Sequence, residues 1–313
     1  MKEVVSHLSA TYTDRLAEHY PDAIVSQLNQ EWREAALLDQ AGQTIEYVRI
    51  NEGAGSKPVL YIPGFTEGIV AKAPFAVDLA SRGLDVILPD QNRTSIIRNQ
   101  VGKKDATYTQ AANYLAVLEA EGLLSETNSV DTVTHSYGSL IFDEMIKIAK
   151  SKNLDCFDDS KVIMLAPAGL NDRESRIKLG SRFLKLNITE GRTPKDIGDD
   201  DGEMLKAGTA NFRANMSRAV RECLELATRH IDEFNLMGSG IGSLAIVGYA
   251  EDVLFPSSLL ESAVERLVND GATWLNPVDL ATNPPRSGRY ATHNDEQFNP
   301  SRVAGSVAEL LKL

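Results

Sequence analysis

A serine hydroxyl becomes a useful nucleophile when a sharp bend exposes it and a neighbouring base takes its proton. The stretch SVDTVTHSYGSLIF, residues 129–142, has the first of these features. Residues 129–134 alternate polar residues with β-branched ones as a strand does, and LIFDEMIKIA, residues 140–149, places apolar residues at helical spacing. Only HSYGS joins the two, so the chain must turn within a few residues. Gly138 removes a side chain where strand and helix crowd together, and Ser136 falls at the tip.

At neutral pH the base for a serine is most often histidine, and the chain has five. His7, His19 and His230 fall in segments that read as surface or inserted helices. His135 adjoins Ser136 and is expected to project toward the opposite side of the bend. His293 remains, in SGRYATHNDEQFNP, a loop between the last expected strand and the last expected helix. A carboxylate is needed at the other ring nitrogen to hold the tautomer. IVGYAEDVLFP offers two, Glu251 and Asp252, directly after an apolar strand. Adjacent side chains of an extended segment point apart, so only one can face the histidine, and Asp252 is preferred over Glu251.

The elements that must position these groups follow a regular rhythm. TIEYVRI and PVLYIPG read as strands separated by the turn-like NEGAGSK. They are followed by the helix FAVDLASRG, which ends in a helix-stopping glycine, the strand LDVILPD, the helix YTQAANYLAVLEAEG and the strand VDTVT. KVIMLAPAG and SLAIVG continue the strands; a helix PSSLLESAVERLVND, a short strand ATWLNP and a terminal helix SRVAGSVAELLKL complete the chain. Such alternation predicts an α/β fold with a mostly parallel sheet flanked by helices. Residues 9–38 read as helical, divided at Pro21.

Four segments follow: an N-terminal helical extension over 1–42, a first part of the sheet core over 43–168, a helical cap over 169–236 and a second part of the core over 237–313. In the cap segment Phe212, Met216, Ala219, Cys223, Ala227, Ile231 and Phe234 share one helical stripe, which could cover the sheet or simply join its core. The run GDDDGE lacks the spacing of a calcium loop, because Ile197 and Gly208 stand where that loop needs oxygen ligands. It reads as a solvated loop or the acidic start of a helix at Glu203.

Composition narrows the classes of partner. The chain has 313 residues, 42% of them hydrophobic, and a formal net charge of −12. That charge disfavours nucleic acid and anionic membrane surfaces, leaving small molecules or proteins as partners. No stretch of about eighteen apolar residues runs together and the start lacks the pattern of a signal peptide, so a soluble, cytoplasmic protein is expected. Cys156 and Cys223 form no paired motif and read as unreactive thiols.

Together these residues resemble the α/β-hydrolase family over roughly residues 43–313. The nucleophile elbow G-x-S-x-G of that family corresponds to THSYG, with Thr134 at the first glycine position, and the order Ser136, Asp252, His293 is the family's order. LYIPGFTEG resembles the family's oxyanion loop, with Pro63-Gly64 in place of the usual His-Gly; PDQNRTS, after the next strand, departs from the glycine-rich stretch often found there. The resemblance implies oxyanion donors at the amides of Phe65 and Tyr137 and hydrolysis through an acyl-enzyme, without metal or cofactor. The expected partner is a small-molecule acyl substrate, a small or medium carboxylic ester. Thioester or carbon-carbon bond hydrolysis, and a ligand-binding protein of slow chemistry, are the alternatives. Residues 1–42 could serve as an arm for homo-oligomer formation or pack on the same core.

Overall fold

The computed structural model describes residues 10–30, 32–36, 44–55, 57–64, 69–90, 106–124, 129–169, 182, 240–249, 252, 254–255, 260, 265, 274–279, 293 and 300–312. The helical cap expected over 169–236 lies outside them except for Gly169 and Arg182. So do its apolar stripe with Met216 and Cys223, the GDDDGE run, and His7 and His230.

Among the described residues eight strands form one sheet in the order β1-β2-β4-β3-β5-β6-β7-β8. They are β1 Trp32–Ala36, β2 Thr44–Ile50, β3 Pro58–Ile62, β4 Asp85–Pro89, β5 Asp131–His135, β6 Lys161–Leu165, β7 Ser243–Gly248 and β8 Trp274–Asp279. β2 is antiparallel to both β1 and β4, and the remaining neighbours are parallel. The mostly parallel α/β sheet predicted from the rhythm of the sequence is therefore present.

Strand residues alternate between two cores. Leu60, Ile62, Ile87, Val162, Met164, Leu244 and Ile246 join one cluster, with helices α5 (Ala106–Ala120) and α6 (Gly138–Ser151). Their neighbours Val59, Tyr61, Val86, Leu88, Ile163, Leu165, Ala245 and Val247 join the other, with α4 (Ile69–Ser81) and α7 (Pro300–Lys312). Helices on both faces explain why these strands read as continuous apolar runs.

The chain runs from β3 outward to β4 on one side and later returns to β5 on the other. Because strand crossovers are right-handed, reversing direction puts α4 and α6 on opposite faces. It also leaves a crevice at the carboxyl ends of β3 and β5, the point where open α/β sheets bind ligands. Pro63 and Ser136 follow those two strand ends.

Residues 32–36, expected to be helical, are a strand. Ala, Arg and Glu in WREAA favour helices locally, but pairing runs from Trp32 opposite Val48 to Ala36 opposite Thr44. Arg33 is fixed by ion pairs to Glu52 at 2.6 Å and Glu121 at 2.8 Å. Tertiary pairing overrides the modest local preference. The sheet thus begins before residue 43, inside the segment read as a helical extension.

Ahead of it, α1 (Ala10–Ala17), α2 (Asp22–Val25) and α3 (Gln27–Gln30) bring Tyr12, Leu16, Tyr20, Val25 and Leu28 into the second core. α4 starts earlier than FAVDLASRG suggested and contains Pro74. Proline has no N–H, so the carbonyl of Val70 loses its helical donor. The Tyr12 hydroxyl donates to that carbonyl at 2.7 Å, tying α1 to the first turn of α4. Among the described residues no helix is long and apolar enough to cross a membrane.

Candidate active site

The elbow is built by β5 ending at His135 and α6 starting at Gly138. Ser136, between them, has φ 50, a left-handed conformation that costs a residue with a β-carbon about 1–2 kcal/mol. Hydrogen bonds hold it there. Its N–H donates to Leu165 at 2.9 Å, and its carbonyl accepts from the N–H groups of Ser139 and Ala168, both at 3.1 Å.

Gly138 has a separate reason for lacking a side chain. A β-carbon there would collide with the carbonyl oxygen of Ile62 and lie 2.9 Å from that of Pro63. The end of β3 therefore sits directly beside the start of α6. Thr134, where the family pattern has glycine, is fully buried and places Oγ1 2.9 Å from Ser139 Oγ. Its hydroxyl bridges strand to helix across the bend, so the larger side chain is accommodated with its polar atom satisfied.

Ser136, His293 and Asp252 are each 3% exposed and form one hydrogen-bonded chain. His293 Nε2 is 2.8 Å from Ser136 Oγ, and His293 Nδ1 is 2.8 Å from Asp252 Oδ2. A carboxylate accepts, so Nδ1 carries the proton; the Nε2 lone pair then faces the serine hydroxyl, which donates to it. The other oxygen, Asp252 Oδ1, accepts the amides of Leu254 at 2.7 Å and Phe255 at 2.9 Å. Burial pushes the Asp252 carboxyl upward. The electrostatic attraction and hydrogen bond of His293, with the two amides, outweigh that and hold it below its ordinary value. Asp252 is thus a carboxylate with both oxygens engaged.

The Phe255 ring packs at 5.3 Å from the His293 ring. Arg182 donates from Nη1 to the Leu254 carbonyl at 3.3 Å, which places Arg182 beside the turn holding Asp252.

All three side chains singled out in the sequence are therefore brought together. Tyr137 stands at the N-cap of α6, and its buried hydroxyl pairs with Thr107 Oγ1 at 2.7 Å. Phe65 and Glu251 lie outside the described residues. His19 is exposed but stands in the turn after α1 rather than in a helix, because α1 ends at Ala17. Cys156 is buried, and burial pushes its thiol up to about 12, as expected of an unreactive cysteine.

Two residues next to the site were given no role by sequence reasoning: His135, set aside as a base, and Lys72. His135 is buried with Nε2 2.9 Å from the backbone carbonyl of His293, and the two rings lie 5.0 Å apart. Lys72 is buried with Nζ 3.3 Å from His135 Nδ1. One signal was available: Lys72 is the sole charged residue in the apolar run IVAKAPFAV, residues 69–77. Among the described residues no cluster of three His, Cys, Asp or Glu side chains is arranged to hold a metal ion.

No protein-family model matches the chain, and no curated protein matches it by sequence. Solved structures do match. A thermophilic esterase from Thermogutta terrifontis is 15% identical, the alignment covering 90% of this chain and 98% of the esterase, with a TM-score of 0.59. An esterase from Exiguobacterium antarcticum is 12% identical over 90% of this chain and 99% of its own, with a TM-score of 0.60. An alpha/beta hydrolase fold protein from Chitinophaga pinensis is 12% identical over 90% and 97%, with a TM-score of 0.59. At such identities the likeness is one of fold.

Proposed function

Since the chain has the α/β-hydrolase fold, we propose that it is a serine hydrolase cleaving a small or medium carboxylic ester through an acyl-enzyme. The observation that carries this reading is the Asp252–His293–Ser136 chain, with 2.8 Å on each side of the imidazole. A structural serine has little use for a left-handed backbone and a histidine aimed at its hydroxyl.

In this mechanism Ser136 Oγ attacks the ester carbonyl while its proton passes to His293 Nε2. The Asp252 carboxylate stabilises the imidazolium formed. The negative carbonyl oxygen is received by the amides of Phe65 and Tyr137; supporting this, the end of β3 lies against Gly138, so the loop carrying Phe65 starts beside the elbow. His293 then gives its proton to the leaving alkoxide. A water then attacks the acyl carbonyl while giving a proton to His293, and His293 returns that proton to Ser136 Oγ as the acid leaves. The segment over 169–236 is proposed to form the acyl pocket as a cap, supported by the contact from Arg182 to Leu254.

A fluorophosphonate probe tests the reading. The native chain should be labelled once and should hydrolyse p-nitrophenyl acetate or butyrate, and Ser136→Ala should do neither while melting at a similar temperature. Unchanged ester turnover by Ser136→Ala would remove the assignment. Absence of labelling in the native chain, with retained binding of an ester, would favour a ligand-binding role.

A further inference from the structure

A fully buried lysine beside a fully buried histidine needs an explanation, because an ammonium in an apolar core is costly unless its donors are used. Lys72 Nζ reaches His135 Nδ1 at 3.3 Å, and His135 Nε2 reaches the carbonyl oxygen of His293 at 2.9 Å. A carbonyl can only accept, so Nε2 of His135 carries a proton. In a neutral ring Nδ1 is then an acceptor, which suits the ammonium of Lys72. The relay starts on α4, passes through the last residue of β5 and ends on the backbone of the loop that carries His293.

We propose that Lys72 and His135 are positioning residues for His293. The inference rests on the reading of Ser136 as nucleophile and His293 as base. During acyl transfer His293 Nε2 must exchange its serine partner for the leaving oxygen and then for water. At those moments Ser136 cannot hold the ring. A tether at the His293 carbonyl is independent of what Nε2 is bonded to, and it is anchored in the sheet rather than in a loop. The His135 ring also lies against that of His293, at 5.0 Å and a tilt of 44°, which limits displacement of the base. Lys72 sets the tautomer: without a donor at Nδ1, the proton of His135 could move there and leave two lone pairs facing each other at the His293 carbonyl.

Three variants separate this role from simple packing. His135→Leu removes the contacts to Lys72 and to the His293 carbonyl. His135→Gln retains them in kind, since its amide N–H can donate to the His293 carbonyl and its oxygen can accept from Lys72. Lys72→Met keeps the length of the side chain without its charge. Each is measured for hydrolysis of a p-nitrophenyl ester, for the rate of fluorophosphonate labelling, and for the far-downfield proton resonance of His293 Nδ1–H, identified by its absence from Asp252→Asn. Folding is followed by circular dichroism.

Small displacements of a catalytic group lower rates by up to about 100-fold. His135→Leu should therefore lose about 100-fold in kcat and in labelling rate, with KM little changed and the Nδ1–H resonance broadened or lost. Lys72→Met should lose on the order of tenfold, and His135→Gln should stay within about threefold of the native chain. A folded His135→Leu with native rates and a native resonance would overturn the proposal, and so would a His135→Gln as impaired as His135→Leu. If His135→Leu does not fold, Lys72→Met decides by the same readouts: a tenfold loss supports the relay, and native behaviour rejects it. Absence of any Ser136-dependent labelling would instead refute the hydrolase reading. The resonance of His293 would still show whether His135 and Lys72 position the ring.

Discussion

Gly138 leaves no room for a β-carbon because the carbonyl oxygen of Ile62 occupies the place where one would stand. The obstacle is backbone, which no rotamer change relieves. The first turn of α6 and the end of β3 are thereby held in contact, and that contact sets where Ser136 lies relative to the loop beginning at Pro63.

Gly138→Ala should therefore force the elbow away from β3. A loss of about 1–3 kcal/mol is expected from overpacking. Ester turnover should fall by about 100-fold, because the nucleophile and the amides beside it shift together. Thermal melting and p-nitrophenyl acetate hydrolysis measure the two effects. A variant with native values of both would show that the elbow tolerates displacement.

Asp252→Asn keeps the shape of the acid while removing its charge. Its amide oxygen can still accept from Leu254 and Phe255, so the fold should persist, whereas turnover should drop by about 10⁴-fold as the tautomer and imidazolium lose their support. A decrease smaller than about tenfold would mean that another carboxylate serves His293.

The same carboxylate makes a pH-dependent contribution to stability. Its folded pKa lies below the ordinary value, so the unfolded chain takes up this proton more readily. The contribution is fully present above the unfolded carboxylate value of about 4 and is lost as pH falls through the lower folded value. The melting-temperature advantage of the native chain over Asp252→Asn should accordingly shrink as the pH is lowered from about 5 to about 3. An advantage that grew on acidification would mean that folding raises the pKa of Asp252 instead of lowering it.

Tyr12 and Pro74 form an unusual pair: one supplies to the Val70 carbonyl the hydrogen bond that the other denies it. Tyr12→Phe should destabilise the chain by about 1–2 kcal/mol, the cost of leaving such a group unpaired. Pro74→Ala restores an N–H that can reach Val70, and in that background Tyr12→Phe should cost less. A double-mutant cycle by urea denaturation reads this coupling directly. Additive effects would show that the two residues act separately.

At the opposite edge of the sheet, Arg49 joins Asp85 and Glu121, each at 2.6 Å, with little exposure of any of the three side chains. Arg49→Met would leave two carboxylates buried beside each other without their shared cation. A loss of about 3–5 kcal/mol is expected. The kcat of the folded fraction should be unchanged, since these residues lie on strands and helix ends away from Ser136. A stable variant would mean that the remaining charges find other partners.

Local pieces of this protein are legible in its residues alone. Period-two alternation before His135 and helical spacing after Leu140 reveal the bend at Ser136, and Gly138 marks its crowding. The order Ser136, Asp252, His293 follows because Ser136 and Asp252 sit just beyond apolar runs and His293 lies in the loop between the last strand and the last helix, and apolar runs reveal strands without reference to distant partners. Long-range contacts govern the rest. WREAA favours a helix until β2 pairs with it, and the pairing depends on residues brought alongside from Thr44 onward. Lys72 looks like an interruption in an apolar helix because its partner, His135, is 63 residues away, and the carbonyl that His135 meets lies 158 residues further along the chain. Periodicity records which face a residue shows; it carries no information about which faces meet, which is set by strand order and by the burial of polar groups that must find one another once water is excluded.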